Sequence, residues 1–306
     1  MPVAQPRHST HAGSQVTCSE SGCCDRDQGQ CFCRTGESRM KIGIAGTGAI
    51  GLAVARTLSE GGIPGCDLAG ISVRNAERAA AVARELSLPL HNMTFDELAD
   101  ACDLVVEALP PARFDSLARP VLENGKVLVV LSASQLLGRE DLIDLASSAG
   151  GRIFVPSGAM LGLDAIKAVN QGTITSITIE TRKPVAGLVN APYIQKTGLD
   201  LSTLSEATCI LAGSVTEVAR AFPANVNVAA ALSLAGIGPD RTRMEVWADP
   251  ALSRNLHTVR VASDSSDFTM QIQNRPSAEN AATGRITPQS VIALLKDLNA
   301  VLRIGT

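Results

Sequence analysis

Four histidines occur in the 306 residues, and they are not equivalent. His8 and His11 sit in a polar N-terminal tail, His91 in a connection after "SLPL", and His257 in "NLHTV" at the head of an apolar stretch. Imidazole titrates at about 6.5, so a histidine can take and give protons at neutral pH. The residues alone leave His257 open between an acid–base group and a packing residue at a strand start, and packing is the commoner role for a lone histidine placed there. A second cluster with chemistry in it is "KIGIAGTGAIG", where Gly46, Gly48 and Gly51 spell G-x-G-x-x-G. The first glycine permits a tight turn, the second lets backbone approach a pyrophosphate, and the third lets helix pack on strand. The amides of Ala49, Ile50 and Gly51 then open a helix whose N-terminus favours phosphate.

The context of these glycines predicts a dinucleotide site. Ile42 and Ile44 begin a short apolar strand before them, and Leu52, Val54, Ala55 and Leu58 form the apolar stripe of a helix after them. A second strand, "LAGISV", ends near Arg74. A site that prefers NAD normally carries Asp or Glu there, for the ribose 2′-hydroxyl. Here stand Ser72, Val73, Arg74 and Asn75. Arg74 could face a 2′-phosphate, with Ser72 and Asn75 as further donors, so NADP or dual use is expected ahead of strict NAD use. A solvated loop charge is the alternative for Arg74.

The bulk composition fits an enzyme of this kind. Apolar residues make up 45% and charged residues 19%, with a net charge of −3, and nothing in that balance points to nucleic acid or an anionic membrane. Aromatics are 3%, so the core must be built from aliphatic residues. No window of 18 apolar residues and no basic-then-apolar leader is present, and a cytoplasmic protein without membrane contact is expected. Residues 1–39 differ from the rest. They hold five of the eight cysteines (Cys18, Cys23, Cys24, Cys31, Cys33) in spacings that match no common zinc module, and too few aliphatic residues to form a core. Disorder is expected there, and no metal site. Met40 stands directly before the first strand, so translation starting at Met40 is a further expectation.

Alternating strand and helix patterns continue to "GRIFVPSG". Asn75 and the Thr94/Glu97 pair read as helix caps, and Gly125 and Gly150 as helix ends. From about residue 172 the texture changes. "TITSITIETRK", "RMEVWAD", "HTVRVAS" and "DFTMQIQN" alternate as strands of an antiparallel sheet with one wet face. "EATCILAGSVTEVARAF" and "NVNVAAALSLAG" read as helices, and "TPQSVIALLKDLNAVLRI" as a closing amphipathic helix capped at Thr287. The expected architecture is α/β: a Rossmann dinucleotide-binding domain over 40–158, and a mixed α/β domain with a largely antiparallel sheet over 159–283. The last helix, within 284–306, is expected to pack back on the first domain.

Several stretches of residues 40–306 carry a resemblance. "IGIAGTGAIG", "VPSGAMLGLDAIKA", "TRKP", "FPANVNVAAALSLAG", "ADPALSRNLHTVRV" and "NRPSAEN" together resemble the L-aspartate dehydrogenase family. The resemblance implies NAD(P)-dependent oxidation of L-aspartate to iminosuccinate, which hydrolyses to oxaloacetate and ammonia or feeds NAD synthesis. It implies that His257, in the R-N-x-H segment, is catalytic, and that Asn227 contacts cofactor or substrate. It also implies a cofactor contact from the loop around Ala159, where Leu161 replaces the small residue usual in the family. Substrate carboxylates need cations. Lys183 of "TRKP" is the first candidate, ahead of Arg182, Arg241, Arg243, Arg254 and Arg275. Asn225 is a further substrate-binding candidate, although Asn225 or Asn227 could instead cap the helix that follows. Asp164 could orient its loop or cap a helix. A homodimer or larger homo-oligomer is expected by fold analogy. Two other readings are a related NADP-linked amino-acid dehydrogenase or imine reductase acting on another diacid, and a silent NADP-binding regulator.

Overall fold

In the computed structural model the residues described are 39–223, 226–277 and 284–305. The first half alternates as the apolar pattern requires. Strand β1 (Met40–Ala45) feeds helix α1 (Ala49–Ser59), then β2 (Cys66–Ser72), α2 (Ala76–Leu86), α3 (Phe95–Ala101), β3 (Leu104–Glu107), α4 (Phe114–Glu123), β4 (Val127–Val130), α5 (Glu140–Ala149) and β5 (Arg152–Phe154). All five strands are parallel, in the order β2-β1-β3-β4-β5. Leu104, Val105 and Val106 have no solvent exposure, as expected of strands covered on both faces.

Local chemistry sets the ends of these helices. Asn75 caps α2 by accepting from the Arg78 amide, and Thr94 with Glu97 forms a reciprocal capping box on α3. Gly150 closes α5 at φ 77°, a conformation that an L side chain resists.

The second half begins with α6 (Leu163–Val169) and β6 (Ile174–Lys183), and continues through α7 (Pro192–Thr197), β7 (Thr208–Ser214), α8 (Val215–Ala221), α9 (Asn227–Ala235), β8 (Thr242–Ala248), β9 (Leu256–Ser263) and β10 (Phe268–Gln273) to α10 (Ile286–Leu298). Its sheet runs β10-β9-β6-β8-β7. Three of the four pairings are antiparallel, and β6 with β8 is parallel. Strand β7, which follows β6 and runs antiparallel to β8, returns the chain to the end from which β8 starts, as a parallel pairing of β6 with β8 requires. In β10, Phe268, Met270 and Ile272 are half-buried while Thr269, Gln271 and Gln273 are exposed, as the alternation predicts.

Two expectations are corrected. Residues 206–222 are not one helix: Thr208–Ser214 form strand β7 against β8, and the helix starts only after Ser214, which caps it in a box with Glu217. Sheet pairing and the capping serine together override the helical pattern read across them. Helix α10 is not capped at Thr287, because it already begins at Ile286 with Arg285 in the cap position.

Packing sorts into three layers of core. One face of the parallel sheet holds α1, α2 and α10, with Val291 and Leu295 of α10 packed among Ile42, Ile44, Val54 and Leu58. The other face holds α3, α4 and α5 around Phe114, Leu117 and Leu122. The second sheet packs Ile177, Ile179, Met244, Val246 and Val259 against α8 and α9. Removing one such buried aliphatic side chain down to alanine costs roughly 2–5 kcal/mol.

Candidate active site

The turn between β1 and α1 is shaped for a ligand. Gly46 sits at φ 92°, and a Cβ there would fall 2.2 Å from the Ala108 carbonyl oxygen. A Cβ on Gly51 would fall 1.9 Å from the Gly46 oxygen. A Cβ on Gly48 would meet nothing within 4 Å. The outer two glycines are thus required by the protein's own backbone, and the middle one leaves open space at the cleft. Gly48 is also the N-cap of α1 and supplies no side chain, so no side-chain cap occupies the helix amides. This arrangement fits a dinucleotide pyrophosphate.

Beside it stands Arg78, whose role nothing in its local sequence announces. Its guanidinium donates to the Thr47 hydroxyl at 3.2 Å and to the Thr47 carbonyl at 2.6 Å, bracing α2 on the glycine turn. Arg74 is exposed in the loop between β2 and α2, and Ser72 is buried. The Gly46 amide donates to the Ser72 carbonyl, so this loop and the glycine turn are neighbours.

The walls beyond the turn are set by Glu107, a buried carboxylate at the end of β3. It accepts from the amides of Leu109, Leu131 and Ser132 and from the Ser132 hydroxyl, at 2.8 to 3.1 Å. Burial pushes its carboxyl up, against these four hydrogen bonds. Glu107 thereby ties together the segments after β3 and β4, both of which line the cleft. A carboxylate set between Val106 and Ala108 in an otherwise apolar run is the visible sign of it.

The second sheet supplies the buried titratable side chains of the cleft. Along β6, Ile177, Ile179, Thr181 and Lys183 alternate onto one face, which is apolar in the core and polar at the strand's end. Thr181 is the register partner of His257 on β9, and its Oγ1 lies 3.1 Å from His257 Nδ1. His257 is 5% exposed; burial, then the charge of Lys183, pulls its pKa down to about 4. Lys183 is 8% exposed, and burial pulls its ammonium down to about 8. At neutral pH the cleft therefore holds an uncharged imidazole beside a cationic lysine.

These parts meet in one cleft of about 460 Å³, lined by Gly48, Ala49, Ile50, Gly51, Ala159, Lys183, Asn227 and His257 among others. Asn227 Oδ1 accepts from the Ser134 amide at 3.1 Å. Asn274, of "NRPSAEN", donates to the Ala159 carbonyl at 3.1 Å, and the Ser290 hydroxyl accepts from the Gly158 amide at 3.0 Å, so the Ala159 loop is held from two sides. Gly46, Leu161 and Arg74 do not line the cleft. Asn225 lies outside the described residues. Asn227 is the first residue of α9, and Val226 takes the cap position. Gly162, not Asp164, is the N-cap of α6.

Of the six candidate cations, all within the described residues, Lys183 lines the cleft and the arginines do not. Strand alternation puts Arg182 on the opposite face, where it pairs with Glu180 and lies over Trp247. Arg243 pairs with Glu245, and Arg254 donates to Gln273. His91 is exposed.

Comparison with known proteins agrees with this geometry. The family model described as "Aspartate dehydrogenase, C-terminal" matches residues 164–298, and that described as "Homoserine dehydrogenase, NAD binding domain" matches 46–156. The chain is 45% identical to the L-aspartate dehydrogenase of Bradyrhizobium diazoefficiens over 273 residues, covering 89% of this chain and 96% of that one. It is 45% identical to L-aspartate dehydrogenase 3 of Bordetella bronchiseptica over 271 residues, covering 88% and 99%. The crystal structure of aspartate dehydrogenase from Thermotoga maritima shares its fold, with a TM-score of 0.67 at 24% identity over 87% of this chain and 100% of that one. A turn built for a pyrophosphate, a histidine and lysine facing it, and relatives matched nearly end to end have one explanation: the chain belongs to the aspartate dehydrogenase family.

Proposed function

We propose that this protein oxidises L-aspartate to iminosuccinate with NAD(P), the imine then hydrolysing to oxaloacetate and ammonia or being drawn into NAD synthesis. The observation that carries the reading is the single cleft in which the glycine turn faces His257 and Lys183. A pyridine nucleotide, when bound, supplies the acceptor for the hydride leaving Cα. The chain's own groups do the rest. The amides at the head of α1 hold the pyrophosphate. Lys183 pairs with a substrate carboxylate, a strong contact in a site this buried. Asn227 and the Ala159 loop bound the cofactor side. His257 hydrogen-bonds to the substrate and handles the protons exchanged as water adds to the imine.

Arg74 supports a leaning to NADP, because the loop after β2 offers a cation where NAD-specific sites place a carboxylate. Asn225 is retained as a substrate contact on the family resemblance. The reading is of a cytoplasmic homo-oligomer, by analogy with two-domain dehydrogenases. Among the described residues no helix is long and apolar enough to cross a membrane.

The test is steady-state turnover of L-aspartate with NAD and with NADP, in the wild type and in His257→Ala. Turnover by the wild type with a loss of roughly 10²-fold or more in the variant is expected for a missing acid–base group. Cofactor binding without aspartate turnover would refute the substrate assignment and turn attention to other amino diacids.

A further inference from the structure

His257 and Thr181 oppose each other on β9 and β6, and both are closed to solvent, at 5% and 1% exposure. The ring nitrogen Nδ1 is the acceptor or donor toward Thr181 Oγ1, Nε2 has no hydrogen-bond partner among the described residues, and the residue lines the cleft. Among the described residues this is the one hydrogen bond of the Thr181 hydroxyl. A hydroxyl has a single proton to place. If it donates to Nδ1, both groups are satisfied and the ring carries its own proton on Nε2. If it accepts from Nδ1–H, its hydrogen is buried without an acceptor, an arrangement that folded proteins seldom tolerate.

We infer that the Thr181 hydroxyl holds His257 of the free enzyme as the Nε2–H tautomer, so that the ring first meets the substrate as a hydrogen-bond donor and not as a base. Thr181 is then a positioning residue, acting through His257. The inference rests on the reading of His257 as the proton-handling group of the cleft. A neutral ring is what burial beside Lys183 favours, and only a neutral ring has a tautomer to choose. A donor at Nε2 suits an oxygen of a dicarboxylic substrate. The first proton of the substrate ammonium is then taken by a group other than His257 Nε2.

The experiment is a two-bond nitrogen–proton correlation spectrum of the full chain labelled with nitrogen-15 histidine, near neutral pH, free and with NADP. Four histidines give a readable spectrum, and His257→Gln assigns the signal. The expected result is a protonated Nε2 and an unprotonated Nδ1 for His257. A protonated Nδ1, or an even mixture, overturns the inference. Thr181→Val, which keeps the shape without the hydroxyl, is expected to lose the bias and to lower kcat/KM for aspartate about tenfold, part of the roughly 10²–10⁴ an acid–base group supplies. Thr181→Ser is expected to keep both. An unchanged tautomer in Thr181→Val also overturns it. Should the valine variant not fold, the wild-type spectrum still decides. Full activity in His257→Ala would end the catalytic reading while leaving the tautomer result intact, so the two failures are distinguishable.

Discussion

Asn227 Oδ1 accepts a hydrogen bond from the Ser134 amide, 93 positions away in the chain. The bond joins the first turn of α9 to the segment after β4, and so joins the layer that carries His257 to the layer that carries the glycine turn. Both residues line the cleft. Asn227→Ala removes the acceptor and leaves an amide to be met by water. The expected outcome is a cofactor Kd raised about 5-fold, the equivalent of roughly 1 kcal/mol for a neutral hydrogen bond. Fluorescence titration with the reduced cofactor measures it, and an unchanged Kd would remove Asn227 from the cofactor side of the site.

Arg74 gives a test of cofactor choice. If it faces a 2′-phosphate, Arg74→Ala weakens NADP about tenfold or more and leaves NAD unchanged, because a charge-assisted hydrogen bond contributes about 1.5–3 kcal/mol. Kd values for the two cofactors, measured on the same preparation, check this. Equal effects on both would make Arg74 an ordinary surface charge.

Glu107 organises two cleft segments through three amides and a hydroxyl, all of them donors. In Glu107→Gln an amide nitrogen must face at least one of those donors. The variant is expected to lose roughly 1–3 kcal/mol of stability, the range for a buried group left unmatched, and to bind cofactor more weakly. Urea unfolding read beside a cofactor titration tests both parts. Loss of stability with unaltered cofactor binding would confine Glu107 to a folding role.

The pH dependence of stability has a sign fixed by His257. Its folded pKa of about 4 lies below its ordinary 6.5, so folding favours the neutral ring. The corresponding stability is fully present above 6.5 and is lost as pH falls through about 4. The loss amounts to roughly 3 kcal/mol at most. His257→Gln is expected to show a shallower fall in thermal stability across that window. Parallel curves for the two proteins would show that the buried ring is not what destabilises the fold in acid.

The parts of this site that depend on short-range rules were readable before folding. The glycine turn, the Asn75 cap and the Thr94/Glu97 box each rest on residues within a few positions of one another. The inward alternation of β6 and β10 was likewise local. What escaped was long-range. Thr181 matters because β6 pairs with β9, and nothing within "ETRKP" reveals that pairing. Arg182 and Lys183 are adjacent cations, and only the sheet's second face separates the one held by Glu180 from the one lining the cleft. Strand β7 has a helical pattern in isolation, and the partner that makes it a strand, β8, lies about thirty residues further on. The family resemblance supplied His257 and Asn227; their partners came from the pairing of distant strands and loops.

The three glycines of the turn answer to different constraints, and this leaves a signature for evolution to write. Gly46 and Gly51 are held by the backbone around them, whatever the protein binds. Gly48 is held by no neighbour among the described residues. A descendant that abandoned its coenzyme while keeping its fold would be free to drift at the middle position alone. In this lineage an intact first and third glycine speak only of ancestry, and the second speaks of present use.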